Sequence, residues 1–579
     1  MNNQWFVYTK KADFAGLGRR FGLDPVTVRV LRNRDIPEEE IEYFLHGTLG
    51  QLYDESLMPD ISAAADEILS MTAGGGRIRI VGDYDIDGVC ATCILLKGLR
   101  AIGADADSRI PDRIMDGYGL NMRMIEEAKA DGVDLIVTCD NGISAVDELR
   151  AAEEYGIRVV VTDHHNIRKE EDGTEILPPA AAVVDVKRSS SAYPTEEICG
   201  AVTAWKLIRY IYRRLGRDEN EWLRYLDFAA IATVGDIMPL TGENRIIVRE
   251  GLKVLNGGMR PDGSGESGSA SLGLRTLIRE LGLNGHGIDT YHIGFMIGPC
   301  INAGGRLENA NIALELFMTE DEKEAETLAG HLISLNEERK SMTERGVKQA
   351  LELIDADYGA DRVLVVYLPE LHESLAGIVA GRIKEKCYKP SIVITKGKDG
   401  LKGSGRSIEG YDMFAALCSV SGLLTRFGGH TMAAGLSLPE ENLEMLRRAL
   451  NENADLDADT LTRKIWIDAA MPFSYISEDL VRELEALSPY GQGFERPVFA
   501  RKQLAVSGLK VFGKQRNVLR MRLRDTDGSV LEAVQFGDAD EICRQLSETG
   551  QVDVIYYPRI NEFAGRKSLQ LEIRDFRIS

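Results

Sequence analysis

The chain has 579 residues, 44% hydrophobic and 28% charged, the balance of a globular protein with room for three or four cores. No apolar run approaches the roughly 18–20 residues of a membrane span, and the start, MNNQWFVYTKK, carries no apolar stretch behind a basic end, so neither a membrane nor a secreted protein is expected. Eight scattered cysteines fit reduced thiols in a cytoplasm, and a net charge of −22 argues against nucleic-acid binding unless the charge is locally redistributed.

Residues 1–55 read as an N-terminal extension with an acidic helical patch, IPEEEIEYFL. From about 60 to 240, short apolar runs alternate with segments of helical period. RIRIVG (77–82), VDLIVTC (133–139), IRVVVT (157–162) and AAAVVD (180–185) read as strands; NMRMIEEAKADG and SAVDELRAAEEYG read as helices with a Gly stop. Such alternation predicts an α/β fold with a doubly wound, mostly parallel sheet. The Gly- and Ser-rich stretch 256–273 reads as a surface loop within this first domain. Residues 319–356, long, charged and Pro-free, read as a connector helix. A second, smaller α/β lobe is expected over 357–458, with strands such as DRVLVVYL and PSIVIT. From 459 to 579 the pattern turns strand-rich with polar turns, predicting a small antiparallel barrel.

Two windows are basic in this acidic chain. Residues 501–525 hold eight Lys or Arg against one acid, and residues 380–430 hold nine against four. Cys90 and Cys93 form a lone CxxC inside an apolar helical run, which reads as core.

The chemistry sits at the ends of the apolar runs. Asp83, Asp85 and Asp87 follow 77–82; Asp140 follows 133–139; Asp163, His164 and His165 follow 157–162; Asp236 ends another apolar run, IATVG. Ligands of open α/β sheets bind at the carboxyl ends of the strands, so these groups are expected to share one rim. Carboxylates so crowded ionise together only if cations offset them. A set of oxygens with an imidazole suits Mg²⁺ or Mn²⁺, and a pair of such ions hydrolyses phosphate esters. DxDxDG also opens an EF-hand loop, but that loop needs a Glu at its twelfth position, where this chain has Ile94, and its Asp83 follows a strand rather than a helix. No GxxxxGK[ST] is present, so a P-loop motor is not expected.

GDYDIDG, CDNG, TDHH and VGDIMPL, in this order, resemble the DHH phosphoesterase superfamily. IGPCINAGGRLENA, LKGSGRSIEGYDMF and FGGHTMAAGL narrow the resemblance to its RecJ family of bacterial single-stranded-DNA exonucleases, with a DHH domain over 56–318, a DHHA1 domain over 357–458 and an OB-like nucleic-acid-binding domain over 459–579. The resemblance implies a 5′→3′ exonuclease that releases 5′-mononucleotides using two divalent ions, Mn²⁺ or Mg²⁺, in DNA recombination and repair. Asp85 and Asp87 would divide between the ions, Asp140 would bridge them, and His164 and Asp236 would complete one of them. His165 would face the phosphate, and Asp83 would be a further ligand. Arg113, Arg306, Ser404 and Arg406 match a pocket for the 5′-phosphate, with Gly428, Gly429 and His430 near the strand's backbone. Ser374, Leu375 and Ala376 depart from the family's usual pattern. Phe512, Tyr556, Tyr557 and Phe563 are aromatic candidates for stacking bases. The expected partners are single-stranded DNA, a single-stranded-DNA-binding protein and a helicase, with no membrane. Two alternatives stay open: a phosphodiesterase of the same superfamily acting on short oligonucleotides or cyclic dinucleotides, and a catalytically silent DNA-binding scaffold.

Overall fold

A computed structural model describes residues 3–218, 220–258, 268–285, 287–397, 400–547, 550–563 and 565–578. Half of the Gly- and Ser-rich stretch expected to be a loop, residues 259–267, thus lies outside the described residues. The chain divides into two compact units, one of residues 52–238 and 247–462, the other of residues 1–51, 239–246 and 463–579. Strand β1 (Gln4–Val7) belongs to the second of these.

The larger unit opens with a five-stranded, fully parallel sheet: β2 (Arg77–Val81), β3 (Asp105–Arg109), β4 (Leu135–Cys139), β5 (Arg158–Thr162) and β6 (Ala182–Val184), in spatial order β3-β2-β4-β5-β6. Both faces of this sheet are covered. Met124, Ile125 and Leu149, from the helices Met122–Ala130 and Val146–Glu154, pack with Ile136 and Val159 of the strands. The helix Ile86–Arg100 packs against the helices Gly200–Arg214 and Leu226–Gly235. Burial on both faces is why the strands read as unbroken apolar runs rather than alternating ones. Edge strand β3, DADSR, is polar and gave no such signal. It is held by ion pairs, with Arg79 reaching Asp107 at 2.7 Å and Asp131 at 2.9 Å. Cys90 and Cys93 are fully buried in their helix, and all eight cysteines are free.

The chain passes from β2 outward to β3 and then back across to β4, so the direction of winding reverses between β2 and β4. That reversal opens a crevice at the carboxyl ends of the strands. The 32-residue helix Glu322–Leu353, capped by the Asp321 carboxylate on Glu324 N–H at 2.8 Å, leads to the second lobe. There β7 (Leu364–Tyr367), β8 (Ser391–Gly397), β9 (Gly400–Arg406), β10 (Arg426–His430) and β11 (Ala433–Leu438) form a sheet of order β10-β11-β9-β8-β7. Only the β7–β8 pair in it is parallel.

The other unit is built around β12 (Lys464–Ile467), β13 (Ala469–Ala470), β14 (Phe499–Phe512), β15 (Val518–Arg524), β16 (Val530–Phe536), β17 (Gln551–Phe563) and β18 (Arg566–Ile578). The order is β13-β14-β15-β16-β18-β17, and an antiparallel β14–β17 pairing closes the barrel. Two register shifts in β14, at Arg501/Leu504 and Ser507/Lys510, bend it around the closure. Residues 3–51 are part of this unit: β1 runs parallel to β12, and Val30, Leu31, Ile41 and Phe44 share a core with Phe494 and Phe499. Buried Arg245 locks the unit by donating to the carbonyls of Phe44 (3.0 Å), Pro489 (3.0 Å) and Leu487 (2.5 Å).

Candidate functional site

The loop after β2 crosses the crevice and turns directly into the helix Ile86–Arg100. Asp85 caps that helix, its Oδ1 accepting from the N–H groups of Asp87 (2.9 Å) and Gly88 (3.2 Å). Asp87 is aimed at another helix start, accepting from Gly200 N–H at 2.6 Å and Ala201 N–H at 2.8 Å. Those N–H groups open the helix Gly200–Arg214 and fix both oxygens of Asp87. Asn141 bonds the carbonyls of Val81 (3.0 Å) and Cys139 (2.9 Å) and so pins the ends of β2 and β4 together. Asp140 beside it sits at φ +61°, unusual for a residue with a Cβ.

The histidine turn is tied in through Asp163. Its Oδ2 accepts from Ile143 N–H (2.9 Å), and its Oδ1 accepts from His164 N–H (2.7 Å) and lies 2.8 Å from His165 Nδ1. Asp163 therefore positions neighbours with both oxygens. Burial pushes its carboxyl up, but the bond to His165 and the charges of both histidines outweigh that and bring it to about 2. His165 moves the opposite way: burial lowers it, the Asp163 bond raises it further, and it rests at about 9.

His164 is buried and central. Its Nε2 lies 3.0 Å from Asp140 Oδ1, 3.6 Å from Asp87 Oδ2 and 3.7 Å from Asp236 Oδ2. Two trios of donor atoms each fall within 4.8 Å of one another: Asp83, Asp85 and Asp140; and Asp87, His164 and Asp236. A third, Asp140 with His164 and His165, overlaps both. The residues expected from the sequence to meet at one rim thus do so. Asp236, however, ends a helix rather than a strand. That helix, LDFAAIATVG, is buried nearly all round, so no polar face marked its period.

The electrostatics call for cations. Burial drives the carboxyls of Asp83, Asp85 and Asp140 upward, with neighbouring aspartates adding to it, and lifts Asp236 to about 8. Asp83 Oδ2 and Asp236 Oδ2 are buried without a hydrogen-bond partner. Oxygen donors around one imidazole, with orphaned oxygens in both trios, fit divalent ions of the Mg²⁺ or Mn²⁺ kind.

A cavity of about 1060 Å³ lies between the two lobes of this unit. Its lining includes Arg113, Arg306, Ser404, Arg406 and Gly428; Gly429 and His430 are exposed on β10 but are not among the lining residues. Arg113, Arg306 and Arg406 have no carboxylate within ion-pair distance among the described residues. Burial, then repulsion from Arg113, lowers the guanidinium of Arg306 to about 10 and also lowers that of Arg406. Arginines held this close without acids suit a multiply charged anion.

Cavity and acid cluster share a wall. Arg113 packs over the Tyr84 ring at 4.6 Å, and Tyr84 stands between Asp83 and Asp85. Asn302 Oδ1 accepts from Ile86 N–H at 2.8 Å. Gly305 lets the acid loop come close, since a Cβ there would sit 2.3 Å from the Tyr84 carbonyl oxygen. Sequence reasoning passed over Asn302, as it did Tyr118, whose hydroxyl donates to the Asp140 carbonyl at 2.6 Å and lies 3.2 Å from the His165 ring. It also passed over Arg426, which lines the cavity. INAGGR and DGYG were visible as motifs, but only the fold shows what those side chains face.

The barrel corrects part of the sequence reading. Tyr556 and Tyr557 are core residues, not platforms. Phe512 is exposed, with Arg520 near its ring; the Phe563 side chain lies outside the described residues. Of the basic window, Arg501, Arg516 and Arg520 are ion-paired to Asp525, Asp540 and Glu532. Asp540 and Glu532, which lie outside the window, thus offset part of that charge.

A parallel α/β lobe with this acidic crevice, followed by a second lobe, defines a DHH-type phosphoesterase. Residues 77–233 match the DHH family N-terminal domain, 360–455 the DHHA1 domain and 467–575 the RecJ OB domain. The chain is 34% identical over 571 residues to the single-stranded-DNA-specific exonuclease RecJ of Bacillus subtilis, covering 97% of this chain and 69% of that one. It is 32% identical to the RecJ of Haemophilus influenzae, covering 96% of each. The crystal structure of Thermus thermophilus RecJ in complex with Mn²⁺ superposes with a TM-score of 0.83 at 29% identity, covering all of this chain and 80% of that one. The Mg²⁺ complex of the same protein gives 0.77 at 27%, covering all of this chain and 78% of that one. The chain belongs to the RecJ family of single-stranded-DNA-specific exonucleases.

Proposed function

We propose that this chain is a metal-dependent exonuclease that hydrolyses single-stranded DNA from its 5′ end, releases 5′-mononucleotides and serves DNA recombination and repair. The observation that carries the reading is the convergence of two donor trios on a shared Asp140–His164 centre, with a buried, unpartnered carboxylate oxygen in each trio. Asp83, Asp85 and Asp140 would hold one ion; Asp87, His164 and Asp236 would hold the other, with Asp140 common to both. Divalent ions held there would supply a nucleophile from water at neutral pH and offset charge on the attacking and leaving oxygens.

The chain's own residues do the rest. Gly200 and Ala201 N–H groups hold the Asp87 carboxyl in position. Asp163 keeps His165 protonated, so that its imidazolium donates to an oxygen of the scissile phosphate. Arg113, Arg306 and Arg406 fork the terminal 5′-phosphate, while Ser404, 3.2 Å from Arg406 Nη1, orients that guanidinium. The barrel holds the trailing strand, with Phe512 and the lysines of β14 as its contacts.

No helix among the described residues is long and apolar enough to cross a membrane. We place the protein in the cytoplasm, where a helicase and a single-stranded-DNA-binding protein would present its substrate. The test is release of mononucleotides from a 5′-phosphorylated single strand with added Mn²⁺. Asp140→Ala should abolish release while leaving strand binding intact. Turnover near the unsubstituted level in that variant would refute the reading, and faster turnover of a dinucleotide than of a long strand would favour the small-substrate phosphodiesterase instead.

A further inference from the structure

The ribbon formed by β1 and β12 has two faces of unlike purpose. Trp5, Ile465 and Ile467 face inward and pack with Ala500 and Ile555 of the barrel. The other face would be polar in an ordinary surface ribbon. Here it carries Phe6 opposite Trp466, 37% and 48% exposed, with Tyr8 next in line. The rings form a row: Phe6 and Trp466 centroids are 5.3 Å apart and Tyr8 and Trp466 5.1 Å, with interplanar angles of 33° and 29°. Phe6 and Trp466 thus keep a substantial share of their ring area in solvent beside the half-buried Tyr8, aromatic area open to an outside partner.

We propose that this aromatic row is a single-stranded nucleic-acid contact, separate from the acidic crevice and the arginine cavity, on which bases stack. The chemistry at its borders selects that occupant over an apolar protein surface. Lys464 lies on the same face two residues before Trp466 and opposite Gln4. Lys10 Nζ is 5.9 Å from the Tyr8 ring centroid, in an exposed ion pair with Asp35. Lys10 Nζ also donates to the Asn33 carbonyl at 3.1 Å, which fixes it beside the rings, while the exposed pair with Asp35 is weak, so a phosphate can take the place of Asp35. Aromatic faces edged by lysines are how non-sequence-specific proteins hold single strands, rings taking the bases and cations the backbone. The proposal rests on the reading of the chain as a single-strand enzyme and adds a further place where the strand is held, apart from Phe512 and the lysines of β14.

The test is binding of a thymidine oligonucleotide in EDTA, so that nothing is cut. Phe6→Ala/Trp466→Ala should weaken binding by about tenfold, the scale of losing a stacked base. Trp466→Phe, which keeps a ring, should bind near the unsubstituted level. A second readout needs no truncation: the strand should quench tryptophan emission in the unsubstituted protein, and most of that quenching should vanish in Trp466→Phe. Trp205 and Trp222 are buried, and Trp5 is held under Arg577. Equal affinity in the double variant with quenching unchanged in Trp466→Phe would overturn the proposal and assign the row to a protein partner. The wider reading is checked apart from this, because Mn²⁺-dependent release of mononucleotides from a short strand should persist in the double variant. If even the unsubstituted protein neither binds nor cuts single strands, both fall together.

Discussion

Gly200 opens the helix that holds Asp87, and a single methyl there is expected to disable the site without touching any acidic side chain. A Cβ on Gly200 would lie 2.6 Å from Asp140 Cβ and 2.9 Å from Asp140 Cα. Carbon atoms settle at about 3.5–4.0 Å, so roughly 1 Å must be found. Asp140 cannot yield by changing rotamer, because the clash is with its Cα and Cβ, and its backbone is already in the left-handed region. The helix start is held in turn by its two bonds to Asp87. The Asp140 carboxylate therefore moves off its position 3.0 Å from His164. Overpacking of this kind costs roughly 1–3 kcal/mol, and misplacing a catalytic group by about 1 Å costs on the order of a hundredfold in rate. Gly200→Ala should thus lower mononucleotide release about a hundredfold and raise the Mn²⁺ concentration needed for half-maximal rate. Gly330→Ala is the control: it sits on an exposed helix position with nothing near its Cβ and should leave activity unchanged. A folded Gly200→Ala enzyme with normal turnover and normal Mn²⁺ demand would refute this account of Asp140.

Arg406→Ala should weaken the preference for a 5′-phosphate over a 5′-hydroxyl more than it slows the chemical step, read as separate changes in KM and kcat on the two substrates; an equal response to both would remove Arg406 from end recognition. Without metal, Asp236 titrates near 8 and Asp140 is also raised. The folded protein then holds protons that the unfolded chain sheds by about pH 5, so metal-free stability falls as pH rises from about 5 through 8. Mn²⁺ binding should expel those protons, so Mn²⁺ affinity should rise from pH 6 to 8, with proton release visible by calorimetry in buffers of different ionisation enthalpy; binding without proton release at pH 7 would contradict the raised carboxyls. Arg245→Ala should destabilise the barrel unit by about 3 kcal/mol, since it leaves three buried carbonyls without their donor, and chemical denaturation should show the loss.

The central rim was legible because its signal is local. A strand buried on both faces reads as an apolar run, and the residue just after it lies at the carboxyl edge, so Asp83, Asp140 and Asp163 announce their place. The features that escaped depend on non-local pairing or on the loss of pattern. Polar β3 is a strand because it pairs along its length with β2, where Arg77 and Arg79 meet Asp107 across the sheet. Asp236 was legible, but the helix that it ends was not, because that helix has no polar face. Residues 1–51 join residues 463–579 through a parallel pairing of β1 with β12, which no turn or spacing foretells. Charge counted along the sequence at 501–525 overstated the basic surface, because Asp540 and Glu532, outside that window, answer two of its arginines in space.

The ring of Tyr84 belongs at once to the floor beneath Arg113 and to the turn between two aspartates. On the proposed reading, Arg113 is one of three arginines that seat the strand's end, and its stacking on Tyr84 ties that seat to the turn carrying the acids. A seat and a cutting centre joined through one residue would bring the same bond into place after every step, so trimming would need no separate counting device.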